Sequence, residues 1–207
     1  MNKLLEIVKN KYIDKGTIVI SPKEEIYPII QDDLSKLAMC CDKVDKEYIE
    51  IGDAGEKNNL LVGRFMTDVK KPEIVNNQYS DDVIKVLNSE KLISLSKKIL
   101  NTEKDLYLRR VQFNQIDKDC FVGYHLDVDS NPDYLVAGVI QLASGYEGGL
   151  YRVYQKDNSY FDYKTSYGDL ILSNCKYPHE VTKVISGERK SLVFFLSHHD
   201  KENRRDK

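Results

Sequence analysis

The spacing of apolar positions changes near residue 104. Before it the pattern is helical. In "MNKLLEIVKNKYI" the residues Leu4, Leu5, Val8 and Ile13 fall near one face of a helix, and "SDDVIKVLNSEKLISLSKKILN" opens on Ser80 as candidate N-cap with two aspartates behind it. Between these helices, "TIVISP" reads as a short strand stopped by Pro22, and "EIYPIIQDDLSKLAM" as a helix entered near its proline. Residues 41–79 are polar and broken, which predicts loop with one or two short strands and makes 52–79 the candidate lid or substrate loop.

From about residue 105 the period becomes two, and β-branched and aromatic residues dominate. Eight short segments follow, among them "LYLRRVQFN", "CFVGYHLD", "LVAGVIQLA", "GDLILSN", "HEVTKVIS" and "KSLVFFLS". Turn signals such as "SNPD", "SGYEGG" and "SGER" separate them. Regularly spaced short strands of this number favour a jelly roll over a parallel sheet. The expected architecture is α+β and mainly β: one domain with a helical and loop layer over 1–103, a jelly-roll core over 104–199, and a charged, solvated tail over 200–207.

Composition narrows the function classes. A chain of 207 residues with 41% hydrophobic and 31% charged residues fits a single globular unit. The net charge of −2 comes from interspersed acids and bases, with no basic block beside aromatics, which argues against nucleic acid as partner. Lys3, Glu6, Lys9 and Lys11 interrupt the apolar run a secretion signal would need, and no window approaches the roughly 18 apolar residues that span a bilayer. A cytoplasmic protein without a membrane partner is expected. Cys40, Cys41, Cys120 and Cys175 lack CxxC spacing and read as reduced packing residues.

With four histidines in the chain, placement is informative. His198 and His199 sit in the charged end and read as solvent-exposed. His125 and Asp127 are two positions apart at the end of a predicted strand, where both side chains point to one face. His179 begins a later strand. Two histidines and one carboxylate on one face of a metal suit a non-haem Fe(II) site with open positions; on spacing alone a zinc hydrolase or plain structural histidines fit as readily, although Glu180 should face away from His179. Arg189 follows His179 by ten residues, and a guanidinium at the base of a barrel can hold a carboxylate through two parallel charge-assisted hydrogen bonds.

Residues 106–199 resemble the catalytic core of the 2-oxoglutarate- and Fe(II)-dependent dioxygenase superfamily, in particular its prolyl 4-hydroxylase-like branch and the bacterial PKHD-type hydroxylases. The stretches that carry the resemblance are "FNQIDKDCFVGYHLDVD", "YLVAGVIQLASGYEGGLYRVY" and "GDLILSNCKYPHEVTKVISGERKSLVFFLS". The resemblance implies His125, Asp127 and His179 as Fe(II) ligands and Arg189, with Ser191 on the same face, as holder of the distal carboxylate of 2-oxoglutarate. Gln141 stands where relatives often carry a polar group near the co-substrate. A tyrosine common in relatives nine residues before the first histidine is replaced here by Ile116, with Asn114 or Gln112 as candidate substitutes. The implied cofactors are Fe(II), 2-oxoglutarate and O2, with ascorbate as accessory reductant.

The implied reaction is hydroxylation of an unactivated C–H bond, with succinate and CO2 as co-products. Asp127 favours hydroxylation over halogenation, because halogenating relatives carry a small residue there. A free amino acid or small polar metabolite is the expected substrate. A prolyl-type peptide hydroxylase, or a metal-binding jelly roll without turnover, are the alternatives. Tyr124, Tyr134, Tyr146, Tyr151 and Tyr154 could pack in the core or line the mouth, and Asp129 and Asp133 read as turn residues.

Overall fold

A computed structural model describes residues 3–205, so residues 206–207 of the expected tail and residues 1–2 lie outside it. Helix α1 (Lys3–Lys15) turns Val8 and Tyr12 inward, an i, i+4 pair on one face. Ile13, expected on that face, is 63% exposed, because it lies a quarter turn away from Tyr12. Strand β1 (Thr17–Ile20) follows, then α2 (Gln31–Lys43), which buries Leu34, Leu37, Cys40 and Cys41.

The broken region is more ordered than its polarity predicts. It contains β2 (Lys46–Ile51), β3 (Lys57–Asp68) and β4 (Pro72–Ile74). Strand β3 runs twelve residues and pairs with β5 (Tyr107–Ile116) and β6 (Phe121–His125), joining the two halves of the barrel. The lid expected over 52–79 is therefore corrected: only the turn 52–56 overhangs the pocket, and the rest of that span is largely barrel wall. Leu60 and Val62 face inward while Phe65 packs outward, so both faces of β3 are covered and the alternation that marks a half-exposed strand is lost.

Helices α3 (Asn77–Leu87) and α4 (Glu90–Leu100) replace the single helical run, broken at Asn88–Ser89. Ser80 is not the N-cap. Asn76, at φ +54°, precedes the helix, and the Ser80 hydroxyl is buried inside its first turn, donating 3.0 Å to the Asn76 carbonyl.

The remaining elements are the short helix α5 (Asp127–Ser130), β7 (Val136–Gln141), β8 (Glu147–Gly148), β9 (Tyr151–Tyr154), β10 (Tyr160–Tyr163), β11 (Leu170–Asn174), β12 (His179–Val181), β13 (Val184–Ser186) and β14 (Arg189–Ser197). "HEVTKVIS", expected as one strand, divides into β12 and β13, which pair with different partners. The order β1-β11-β7-β14-β5-β3-β6-β12-β9-β10 describes an antiparallel sheet folded into a nearly closed jelly roll. Its outer face packs on the helices through Phe65, Phe113, Phe194, Leu87 and Leu92, all at 0% exposure. Truncating one of these phenylalanines to alanine costs about 3–5 kcal/mol.

The chain end is docked, not free. Asn203 donates from its side chain to the carbonyls of Asp68 and Ser130. Arg204 pairs with Asp133, which is 9% exposed and so a tail anchor as well as a turn residue. His198 Nδ1 lies 2.9 Å from the Asp105 carbonyl, and the His199 carbonyl accepts from Arg109 at 2.6 Å. Most residues from 199 to 205 stay exposed, as the composition predicts, but these contacts are not legible in it because their partners lie 71–135 residues away. No helix among the described residues is long and apolar enough to cross a membrane.

Candidate metal centre and co-substrate pocket

Strand pairing assembles the three candidate ligands. His179, first residue of β12, is the register partner of His125, last residue of β6. Leu126 is still extended, so Asp127 returns to the His125 side before the chain turns into α5. One ligand atom from each of the three residues lies within 4.8 Å of the others. His125 Nε2 is 3.5 Å from Asp127 Oδ1, and His179 Nε2 is 3.7 Å from Asp127 Oδ2. These gaps exceed hydrogen bonds and match three donors around a shared centre.

Backbone carbonyls orient both imidazoles. His125 Nδ1 faces the Gly123 carbonyl at 2.7 Å, and His179 Nδ1 faces that of Tyr177 at 3.1 Å. Each Nδ1–H is thereby held by the backbone, leaving Nε2 as the metal-facing atom. A side chain at Gly123 would meet the Lys57 carbonyl at 2.3 Å, so glycine permits the close approach of β6 to β3. Asp127 is 4% exposed, and its Oδ2 has no hydrogen-bond partner.

The electrostatics of the cluster follow from burial and from the opposite charges its members can carry. Burial lowers the pKa of His179, only partly opposed by Asp127. For His125 burial also disfavours charge, but the Asp127 carboxylate beside it outweighs burial and pushes the value up to about 9. Burial works against the Asp127 carboxylate, yet the two histidines hold it below its ordinary range. A buried carboxylate sharing two imidazoles in this way is a cation site, so the donor set fits Fe(II). Cys175, at 0% exposure, is a core residue as expected and packs beside Asp127.

The pocket around the cluster encloses about 870 Å³ including its open mouth. Arg189 and Ser191 line it and are buried, with Arg189 Nη1 donating to Ser191 Oγ at 3.1 Å. Arg189 is 1% exposed, and its Nε and Nη2 have no hydrogen-bond partner. Burial lowers its pKa, opposed by Tyr146 and Tyr151. A buried guanidinium with two unpaired nitrogens and no carboxylate beside it fits an incoming carboxylate, as 2-oxoglutarate provides.

Not every expected residue reaches this wall. Gln141 is the register partner of Ser191, but its amide donates to the carbonyls of Lys190 at 3.0 Å and Ala143 at 3.4 Å and accepts from Thr165, and it does not line the pocket. Ile116 is buried opposite Arg189, outside the lining, while Asn114 and Gln112 are in it, joined by a 2.8 Å bond from Gln112 Nε2. Of the five tyrosines only Tyr151 lines the pocket, its hydroxyl buried without a hydrogen-bond partner. Burial raises its pKa well above the ordinary value, so it stays a neutral donor. Its strand alternation was legible in "GGLYRVYQ", but the facing sheet it would point into was not. Glu180 faces away, accepting from Tyr154 at 2.8 Å.

The comparisons agree with this geometry. Residues 111–197 match the model of the 2OG-Fe(II) oxygenase superfamily. A crystal structure of an oxidoreductase of the 2OG-Fe(II) oxygenase family from Burkholderia pseudomallei is 30% identical, with 97% of this chain and 94% of that chain covered at a TM-score of 0.88. A Pseudomonas putida prolyl-4-hydroxylase is 20% identical over 94% and 99% of the two chains, TM-score 0.64. The epimerase SnoN from nogalamycin biosynthesis, solved with Fe3+, alpha ketoglutarate and nogalamycin RO, shares 9% identity over 94% and 83%, TM-score 0.70. No functionally curated protein matches the sequence. The chain belongs to the 2OG-Fe(II) oxygenase superfamily: it is an oxidoreductase whose cofactors are Fe(II) and 2-oxoglutarate.

Proposed function

We propose that this protein hydroxylates an unactivated C–H bond of a free amino acid or other small polar metabolite, forming succinate and CO2 from 2-oxoglutarate and O2. His125, Asp127 and His179 hold the iron; Arg189, with Ser191 and Tyr151, holds the distal carboxylate of 2-oxoglutarate. The observation that carries this reading is the shared pocket of a buried His-Asp-His cluster and a buried arginine with two unpaired nitrogens.

Bound iron supplies the O2 activation that no side chain can perform. The chain's own residues bind and orient. The Gly123 and Tyr177 carbonyls keep the imidazoles in one tautomer and one plane. Leu60, Val62, Val122, Val139, Val181 and Val193 line the pocket with apolar surface, which limits water around the reacting centre and strengthens the Arg189 contact. Arg64, Arg110, Gln112 and Asn114 add a polar wall that favours a small polar substrate over a proline ring.

The test is anaerobic titration of the protein with Fe(II) and 2-oxoglutarate, followed by succinate release in air. A weak visible charge-transfer band and 2-oxoglutarate-dependent succinate are expected, and His179→Ala should lose both. Turnover that survives this substitution overturns the ligand assignment.

A further inference from the structure

The pocket wall carries a second cationic group that iron and 2-oxoglutarate leave unused. On β5 the inward positions Arg110, Gln112 and Asn114 alternate with the buried outward positions Arg109, Val111 and Phe113. Arg110 sits opposite Phe195 and Arg189 opposite Ile116, so their backbone anchors are six strand positions, about 20 Å, apart. Beside Arg110, from β3, stands Arg64, register partner of Gln112. Burial first and the Arg110 charge second lower the Arg64 pKa, so two like charges share this end of the pocket.

Their present counter-ions are surface groups. Arg110 Nη2 lies 2.5 Å from Asp53 in the turn that overhangs the pocket, and Arg64 pairs with Glu47 on β2. The arginine side chains are 15% and 27% exposed, against 46% for Asp53 and 59% for Glu47. Such half-solvated acids hold an arginine weakly, with exposed pairs worth about 0–1 kcal/mol. A ligand carboxylate that enters the pocket is better shielded and can replace them. The other acid on this wall is engaged: Glu56 accepts from Asn58 Nδ2 at 2.9 Å and from the Ala54 amide at 3.2 Å. One pleat inward, about 7 Å along β5 from Arg110, the Gln112 Oε1 atom is buried without a partner. It is an acceptor placed for an N–H.

We infer that Arg110, assisted by Arg64, binds the free carboxylate of the substrate while Gln112 Oε1 accepts from its ammonium, so that the enzyme acts on free α-amino acids held by their zwitterionic end. This rests on the oxygenase reading and deepens it. The substrate's carbon skeleton then runs toward the metal cluster along Val62, Val139 and Val193, which line the same pocket.

The experiment measures substrate-stimulated succinate release with the free L-amino acids, their C-terminal carboxamides and an end-blocked prolyl tripeptide. At least one free acid should stimulate, with its carboxamide about a hundredfold poorer in kcat/KM, as expected for loss of a shielded charge-assisted pair. Arg110→Gln should raise the acid's KM far more than the amide's, bringing their ratio near unity, and Arg110→Lys should restore part of it. Asp53→Asn should lower the acid's KM, because the competing carboxylate is gone. If the Arg110–Asp53 pair merely held the turn, both substitutions would harm acid and amide alike. The inference is overturned by that result, by equal stimulation from acid and amide, or by stimulation only from the blocked peptide. A failure of the oxygenase reading looks different: no charge-transfer band, and no succinate with any compound.

Discussion

Two arginines in this protein are equally buried and do opposite things. Arg109 is 0% exposed and Arg189 1% exposed, both on strands of the same sheet. Arg109 Nη2 meets Asp68 at 2.9 Å, its Nη1 meets the His199 carbonyl, and Asn131 Nδ2 bonds the second Asp68 oxygen at 2.8 Å, so its charge is neutralised within the fold. Arg189 has only the Ser191 hydroxyl from Nη1, with two nitrogens left over and no acid in reach. A buried charge completed by the chain serves structure. One left incomplete awaits a ligand that completes it.

Breaking each arginine's surroundings should separate the two roles. The largest effect is expected at the completed pair: Asp68→Ala leaves Arg109 charged and buried without its counter-ion and should lower unfolding stability by about 3–5 kcal/mol in a denaturant titration. Arg189→Gln should do the reverse. It should raise the KM for 2-oxoglutarate by about a hundredfold, as loss of a desolvated charge pair does, while the melting temperature without ligand stays level or rises because an uncompensated buried charge is gone. If that variant unfolds instead, Arg189 is a structural residue and the contrast fails.

A smaller effect tests whether Tyr151 belongs with Arg189. Tyr151→Phe removes one hydroxyl donor, worth about 1 kcal/mol, and should raise the KM for 2-oxoglutarate by about fivefold. No change would restrict the co-substrate contact to Arg189 and Ser191. The smallest effect is expected where the tail joins the Arg109 network. The hydrogen bond and charge of Arg204, against a burial cost, hold Asp133 below the usual carboxylate range, so its contribution is present above its unfolded value of about 4 and is lost as pH falls through the lower folded value. Asp133→Asn should slightly lower the melting temperature at pH 7 and flatten its decline below pH 4.

Much of the candidate site was legible along the chain because it consists of residue types whose chemistry is narrow. His125 and Asp127 at a spacing of two, His179 at a strand start and Arg189 ten residues on are recognisable by type and interval, and strand period places each on a definite face. What period does not give is the strand on the other side. Tyr151 and Arg110 alternate in sequence just as packing residues do, and only the pairing of β9 with β12 and of β5 with β14 directs them into one cavity. Gln141 failed for a related reason: its register beside Ser191 is right, but the neighbouring Lys190 and Ala143 carbonyls capture its amide.

By itself the sequence determined the change from helical to strand period, the jelly-roll class, and the four residues whose side chains can meet iron and a carboxylate. The tertiary structure decided that residues 57–68 are a central strand and not a lid, that the charged tail is anchored on Asp68, Ser130 and Asp133, and that Arg109 is paired with an acid while Arg189 is not. The physical reason is one of range. Local chemistry and periodicity are properties of neighbours in the chain, whereas the completion of a buried charge depends on which distant groups the fold brings within 3 Å of it.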